Sequence, residues 1–335
     1  MDPVEQLRLT RELVDIDSTT GQEAAAGAWL VTTLRALGYQ VAEQQVAPGR
    51  FNVIATVGAP VVVLSTHFDC VPPFFPSRLE RGRLYGRGSC DAKGALVAMI
   101  AASERLRAGG ETGVGLLFVV GEERGSEGAK AANGIAPGSK YLIDGEPTDN
   151  RLGRASRGVY RARLVATGRA AHTSQPDLGE SAIERLVDAL VAVRDVDWPS
   201  DPVLGTTFYV VGLISGGIAP NVIPPAAEAE MMFRTVGDHV MLRELTQARV
   251  GAGVVVEDVL VVPPVHLKTL PGFDTAVFAF TTDIPFLDRW GEPLLIGPGS
   301  VAVAHTADEH VEIAALYRAA DLYADLARGL LSQSG

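Results

Sequence analysis

The sequence is poor in cysteine, with Cys70 and Cys90 the only two in 335 residues. A disulfide scaffold is therefore excluded, and a reducing compartment is expected. Apolar runs are short as well, and none approaches the roughly 18 residues that a membrane helix needs. The start of the chain, MDPVEQLRLTRELVDI, lacks both the basic leader and the apolar core of a signal peptide. A cytoplasmic protein with no membrane partner is the expectation. Basic residues are also in deficit, 29 Lys and Arg against 40 Asp and Glu, for a net charge of -11. That balance argues against a nucleic-acid partner, which would need clustered Lys and Arg. What remains is a hydrophobic content of 47%, ordinary for a globular chain. The length exceeds what one compact core accommodates, so two domains are expected.

Helical periodicity covers Val4 to Val14 and Gln22 to Leu37, the second stopping at Gly38. The apolar runs FNVIATV, VVVLST, GLLFVV and KYLIDG follow, separated by turn residues and by the apolar-faced helix GALVAMIAASERLRAGG. Strands alternating with helices predict an α/β domain whose central sheet is mixed, largely parallel and covered on both faces. After about residue 152 the texture changes. RGVYRARLVATG, FYVVGLISGG, AEAEMMFRTV and GVVVEDVLVV read as strands, with ESAIERLVDALVAVRDV and HVMLRELTQARV as helices. These predict an α+β unit of four strands and two helices, inserted over 154–262 into a domain formed by 1–153 and 263–335. The second segment holds PLLIGPGS and a last helix, VEIAALYRAADLYADLARGLL.

Acids and histidines gather where apolar segments end: His67 and Asp69, Asp91, Glu122 and Glu123, Glu146, and His305. Open α/β sheets build their sites at the carboxyl ends of strands. Imidazoles combined with carboxylates suit zinc, cobalt or manganese rather than a thiolate site. Two divalent ions about 3.5–4 Å apart need one bridging carboxylate and terminal ligands for each. His67, Asp91, Glu123, Glu146 and His305 supply that number. Asp69 is then left to hydrogen-bond the second imidazole nitrogen of His67, and Glu122 to act as general base on a water between two zinc ions.

The segments HFDCVP, LYGRGSCDAKG, VVGEERGSEGA, DGEPT, GRAAHTSQPDLGESAI, PNVIP, FRT and AHTADEH resemble, in order, those of the dinuclear-zinc amidohydrolases. That family includes acetylornithine deacetylase, succinyl-diaminopimelate desuccinylase, aminoacylase and glutamate carboxypeptidase. The resemblance implies a zinc-peptidase-like catalytic domain with an inserted lid through which two copies form a homodimer. It implies two ions per chain, one held by His67, Asp91 and Glu146 and the other by Asp91, Glu123 and His305, with Asp91 as the bridge. It implies Glu122 as the base, Asp69 as the orienter of His67 and His172 as an oxyanion donor. Arg234, Asn221 and Gly299 correspond to substrate-binding positions, a guanidinium fork suiting a substrate carboxylate. GEPTDN and the GPGS to AHT region look most like the acetylornithine and acetyl-lysine deacetylase branch. The implied reaction is hydrolysis of an amide in a small N-acyl amino acid, with di- or carboxypeptidase action, or a non-catalytic relative that keeps the fold as a binding module, as the alternatives. The stretch from Asp69 to Asp91 is shorter than the family's usual one, which puts substrate size in question.

Other features have plainer readings. Cys70 and Cys90 neighbour ligand candidates but read as small buried hydrophobes. His239, His266 and His310 match no motif and read as surface or packing residues. GRGSCDAKG lacks the G-x-x-x-x-G-K-[ST] spacing of a phosphate loop. Arg157 is left between a substrate contact and a structural cap.

Overall fold

The structure, a computed structural model, describes residues 1–333. The chain divides into two compact units. The first comprises Met1–Arg154, Leu267–Ala276 and the segment from Thr282 onward; the second comprises Ala155–His266 and Val277–Thr281.

The first unit begins with α1, Pro3–Val14, where the Asp2 carboxylate accepts the Glu5 N–H as N-cap. Such a cap is worth about 1 kcal/mol. Helix α2, Ala24–Ala36, turns Leu30, Val31 and Leu34 inward. Then come β1 (Gln40–Ala47), β2 (Arg50–Thr56) and β3 (Val62–His67), the helix α3 (Lys93–Ala108), and β4 (Val114–Val119) and β5 (Tyr141–Asp144). With the late strand Glu292–Leu295 they form a six-stranded sheet ordered β1-β2-β4-β3-β5-late. The pairs β1–β2 and β2–β4 are antiparallel, whereas β4–β3, β3–β5 and β5–late are parallel. The expected mixed, largely parallel sheet is what the chain forms.

Strands β3 and β4 are buried along their whole length, because both faces of the sheet are covered. On one face Leu64, Leu116, Phe118 and Ile143 join the core that contains α3 residues Leu96, Val97 and Ile100. On the other, Val63, Leu117, Val119 and Leu142 pack with Leu287 and Trp290. This two-sided burial is why the strands read as continuous apolar runs rather than as alternation.

The second unit is a four-stranded antiparallel sheet. Its strands are β6 (Gly158–Thr167), β7 (Phe208–Gly216), β8 (Ala226–Thr235) and β9 (Val254–Val262), ordered β7-β8-β6-β9. Alternate residues, among them Tyr160, Ala162, Leu164, Met231 and Phe233, are buried with Leu186 and Val193 of α4 (Ala182–Val193) and Leu242 of α5 (His239–Arg249). One face covered by helices and the other open gives the period of two seen in the sequence. The chain ends its described part in α6, Ile313–Ser332. Among the described residues no helix is long and apolar enough to cross a membrane.

Candidate active site

The carboxyl ends of the parallel strands carry the acids and histidines. Strand β3 ends on His67, β4 runs into the Glu122–Arg124 turn, and Glu146 lies two residues beyond β5. The turn after β4 is sharp: Gly121 has φ +76°, and a Cβ there would lie 2.7 Å from the Arg50 guanidinium. Asn52 braces it, Oδ1 accepting the Val120 N–H at 3.1 Å and the amide donating to the Gly128 carbonyl at 2.8 Å.

His67 is 1% exposed. Its Nε2 lies 3.1 Å from Asp91 Oδ1 and 3.9 Å from Glu146 Oε1. Burial pushes the imidazolium pKa down, but the Asp69 and Asp91 carboxylates outweigh it and hold it well above the ordinary value. The other oxygen of Asp91, Oδ2, lies 3.1 Å from His305 Nε2, which is also 3.0 Å from Glu123 Oε1. Burial pushes Asp91 up, and the two histidines more than reverse it. His305 has φ +63°, a half-exposed ring and a pKa raised to about 10 by Asp91 and Glu123.

Two groups of donors result. Ligand atoms of His67, Asp91 and Glu146 lie within 4.8 Å of one another, and so do those of Asp91, Glu123 and His305. Each group offers one imidazole nitrogen and two carboxylates, and Asp91 gives one oxygen to each. Converging N and O donors of this kind fit divalent ions of the zinc type.

Glu122 belongs to neither group. Burial, opposed by His67, pushes its pKa well above the ordinary carboxylate range, and nearby Asp283, Glu123 and Asp91 push it further. Burial raises Glu146 in the same way. Asp69 has a broader part than orienting His67. Its Oδ1 accepts the Glu122 N–H at 3.0 Å, and its Oδ2 accepts the Glu123 N–H at 3.3 Å and the Thr20 hydroxyl at 2.8 Å. The His67 Nδ1 lies 3.0 Å from the Asp69 carbonyl oxygen and 3.5 Å from the carboxylate. One aspartate thus fixes both glutamates and a histidine.

Gly299, also in the first unit, has φ +83°, and a Cβ there would sit 2.5 Å from Cys90 Sγ. Packing alone requires glycine at that point. Cys70 and Cys90 are buried, with burial raising the Cys70 thiol to about 11, and neither joins a ligand group. In the second unit His172 is exposed, its Nδ1 2.8 Å from Ser174 Oγ. The Asn221 carbonyl accepts the Thr173 N–H at 3.3 Å. Arg234 on β8 is half-buried and makes no ion pair among the described residues. Arg157 has a structural role, donating to the Thr206 carbonyl at 2.8 Å and lying over the Phe208 ring at 5.1 Å.

Sequence reasoning passed over Glu309, which is fully buried and accepts the backbone N–H groups of Gly88, Cys90 and Asp91. Its only signal was an extra acid in AHTADEH, four residues after His305. Asp283, buried near Glu122, lies in a stretch with no recognisable pattern.

The fold and the donor groups are those of a metal-dependent amidohydrolase. The chain belongs to peptidase family M20/M25/M40, whose model matches residues 63–329. It is 35% identical over 375 residues to a probable carboxypeptidase of Aspergillus clavatus, spanning 98% of this chain and 83% of that one. Among solved structures, a tripeptidase from Staphylococcus aureus superposes with a TM-score of 0.81 at 21% identity, covering 98% of this chain and 99% of that one. A dinuclear metal-binding M20 peptidase of Bacillus subtilis gives 0.74 at 17% identity, covering 98% of each chain.

Proposed function

We propose that the protein is a two-ion metallopeptidase that acts on short peptides with a free C-terminal carboxylate. The two-ion reading rests on Asp91, whose Oδ1 and Oδ2 each lie 3.1 Å from a different imidazole. A peptide is favoured over an N-acyl amino acid by the 35% identity to a probable carboxypeptidase. His67, Asp91 and Glu146 would hold one ion and Asp91, Glu123 and His305 the other, zinc being the best match and cobalt or manganese the next.

Such ions supply Lewis-acid polarisation of a carbonyl and a water acidic enough to lose a proton near neutral pH. Glu122 takes that proton on a carboxylate oxygen and delivers it to the leaving nitrogen. Its burial suits both halves of that task, because a carboxyl of raised pKa accepts a proton more readily at neutral pH. Asp69 keeps Glu122 and Glu123 in place through their backbone N–H groups. Arg234 is assigned the substrate carboxylate, a half-buried guanidinium without an acidic partner being suited to a two-oxygen anion. His172 is assigned the oxyanion, and Asn221 and the Gly299 backbone the substrate groove. The inserted unit is assigned the pairing of two copies into a homodimer, which sedimentation velocity measures directly.

Deacylation of an N-acyl amino acid needs the same base and the same carboxylate ligand, so substrate choice separates the two readings. Zinc- or cobalt-loaded protein is to be assayed for amine release from dipeptides, longer peptides, and N-acetyl and N-succinyl amino acids. Peptides with a free C-terminus are expected to turn over at least about tenfold faster, as kcat/KM, than their C-amides, since a lost charge-assisted pair costs that much or more, and faster than N-acetyl-ornithine, which keeps the carboxylate but lacks the second residue. N-acetyl-ornithine turning over faster than every peptide would establish the deacetylase reading, and C-amides matching the free peptides would remove the carboxylate contact. Protein carrying two ions that cleaves none of these amides would overturn both.

A further inference from the structure

The two donor groups share Asp91, so its backbone position sets both, and that backbone has one unusual attachment. A single oxygen, Glu309 Oε1, accepts the N–H groups of Gly88 at 2.9 Å, Cys90 at 3.1 Å and Asp91 itself at 3.1 Å. The Glu309 backbone carbonyl accepts a fourth, from Gly86, at 3.2 Å. The other carboxylate oxygen, Oε2, pairs with the Arg87 guanidinium at 2.6 Å, and both side chains are almost wholly buried. Arg87 is itself fixed, donating to the Pro73 carbonyl at 3.2 Å and lying over the Phe75 ring at 5.0 Å. Next along, His310 pairs with Tyr85 across two short strands, so the whole 309–312 stretch is stitched to 83–91.

Glu309 lies four residues after His305, in the same loop. His305 has no strand beneath it. Its backbone is left-handed and its half-exposed ring meets Asp91 and Glu123 among the described residues. In the group Asp91, Glu123 and His305, two of three donors therefore lie next to this anchor: Asp91 takes it at its own amide, and His305 stands in a loop closed by the Thr148–Ser300 bridge on one side and by Glu309 on the other. In the group His67, Asp91 and Glu146 only Asp91 does, because His67 ends a buried strand and Glu146 follows another.

We propose that Glu309 is a positioning residue that turns two separate ligand sets into one two-ion centre. Without its carboxylate the site keeps one ion and holds the second far more weakly. This rests on the two-ion reading given above. It concerns neither the substrate nor the proton transfer.

A direct deletion of Glu309 strands the Arg87 charge in the interior, and such a protein can fail to fold. The comparison is therefore made between two double variants that both lack the ion pair. R87M/E309Q keeps an oxygen able to accept the three N–H groups; R87M/E309M does not. Zn2+ binding to the apo-proteins, read by calorimetry and by elemental analysis after gel filtration, is the probe. Relative to R87M/E309Q, the second ion of R87M/E309M is expected to bind 10- to 100-fold more weakly, in the range for an outer partner of a ligand. The first ion should change by less than about threefold. Equal weakening of both ions, or of neither, would overturn the proposal.

Hydrogen exchange on the unaltered apo-protein gives a test that needs no variant. The Gly88, Cys90 and Asp91 amides should exchange as slowly as those of β3; exchange at loop rates would overturn the anchor. Wild-type protein that takes up two ions but cleaves no peptide would refute the proposed activity and leave this inference standing. Wild-type protein that takes up only one would refute the two-ion reading itself.

Discussion

His67 and His305 face the two oxygens of one carboxylate from different kinds of structure. His67 closes a strand buried from end to end, with neighbours on both sides fixed by parallel register. His305 stands in a loop at φ +63°, half in solvent, between the Thr148–Ser300 bridge and the buried Glu309. The first half of the site inherits its geometry from the sheet. The second is made by hydrogen bonds between loops, and so rests on particular polar residues. Equal ligand counts thus conceal unequal rigidity, and the two halves should fail in different ways.

The largest effect should come from Glu122, which belongs to neither half. E122Q is expected to lower kcat by roughly 10³-fold, within the range for a general base, while both ions remain bound by elemental analysis. Loss of ions with the activity would instead move Glu122 into a ligand group. Next is His172 of the inserted unit. H172A should cost about 10²-fold in kcat, as removal of an oxyanion donor does, with metal content unchanged; unaltered kcat would remove it from the mechanism.

The two halves are compared directly by H67N and H305N in the apo-protein. Breaking the buried His67 contacts strands Asp91 and Glu146 and should cost about 3 kcal/mol in urea unfolding. The half-exposed His305 should cost under ~1 kcal/mol. Similar costs would erase the distinction between strand-held and loop-held ligands.

The smallest effect is a pH dependence. In the folded apo-protein His305 titrates at about 10, above the ~6.5 of an unfolded histidine. A raised pKa stabilises fully below the unfolded value, and that contribution is lost as pH rises through the folded one. Solvent screening limits it to under ~1 kcal/mol. Apo wild type should therefore lose that much between about pH 6.5 and pH 10 relative to H305N; parallel curves would show that the exposed pair contributes nothing.

Legibility in the sequence follows the same division. Runs such as VVVLST and GLLFVV were readable because strands covered on both faces are uniformly apolar, and their ends pointed to His67, Glu122, Glu123 and Glu146. The inserted sheet was readable from alternation in RGVYRARLVATG. Strand β1 escaped because it is a sheet edge with only Val41, Ala42, Val46 and Ala47 as apolar residues and no fully buried position. Glu309 and the wider part of Asp69 escaped for another reason. Both act by accepting backbone N–H groups, and no residue pattern marks a backbone that needs an acceptor. Whether a peptide or an acyl amino acid is cleaved was not legible, since the base and the carboxylate ligand proposed above would serve both.

The insertion point also fixes an order in time. His67, Asp91 and Glu146 all precede Ala155, where the inserted unit begins, whereas His305 and Glu309 come only after it has been completed. Chains are made from the amino end, so every residue of the first ligand set leaves the ribosome before the inserted unit does. The strand that flanks β5 on its outer side, Glu292–Leu295, arrives later still. A growing chain therefore carries one candidate donor group well before it carries both, and the complete pair is a late event in its synthesis.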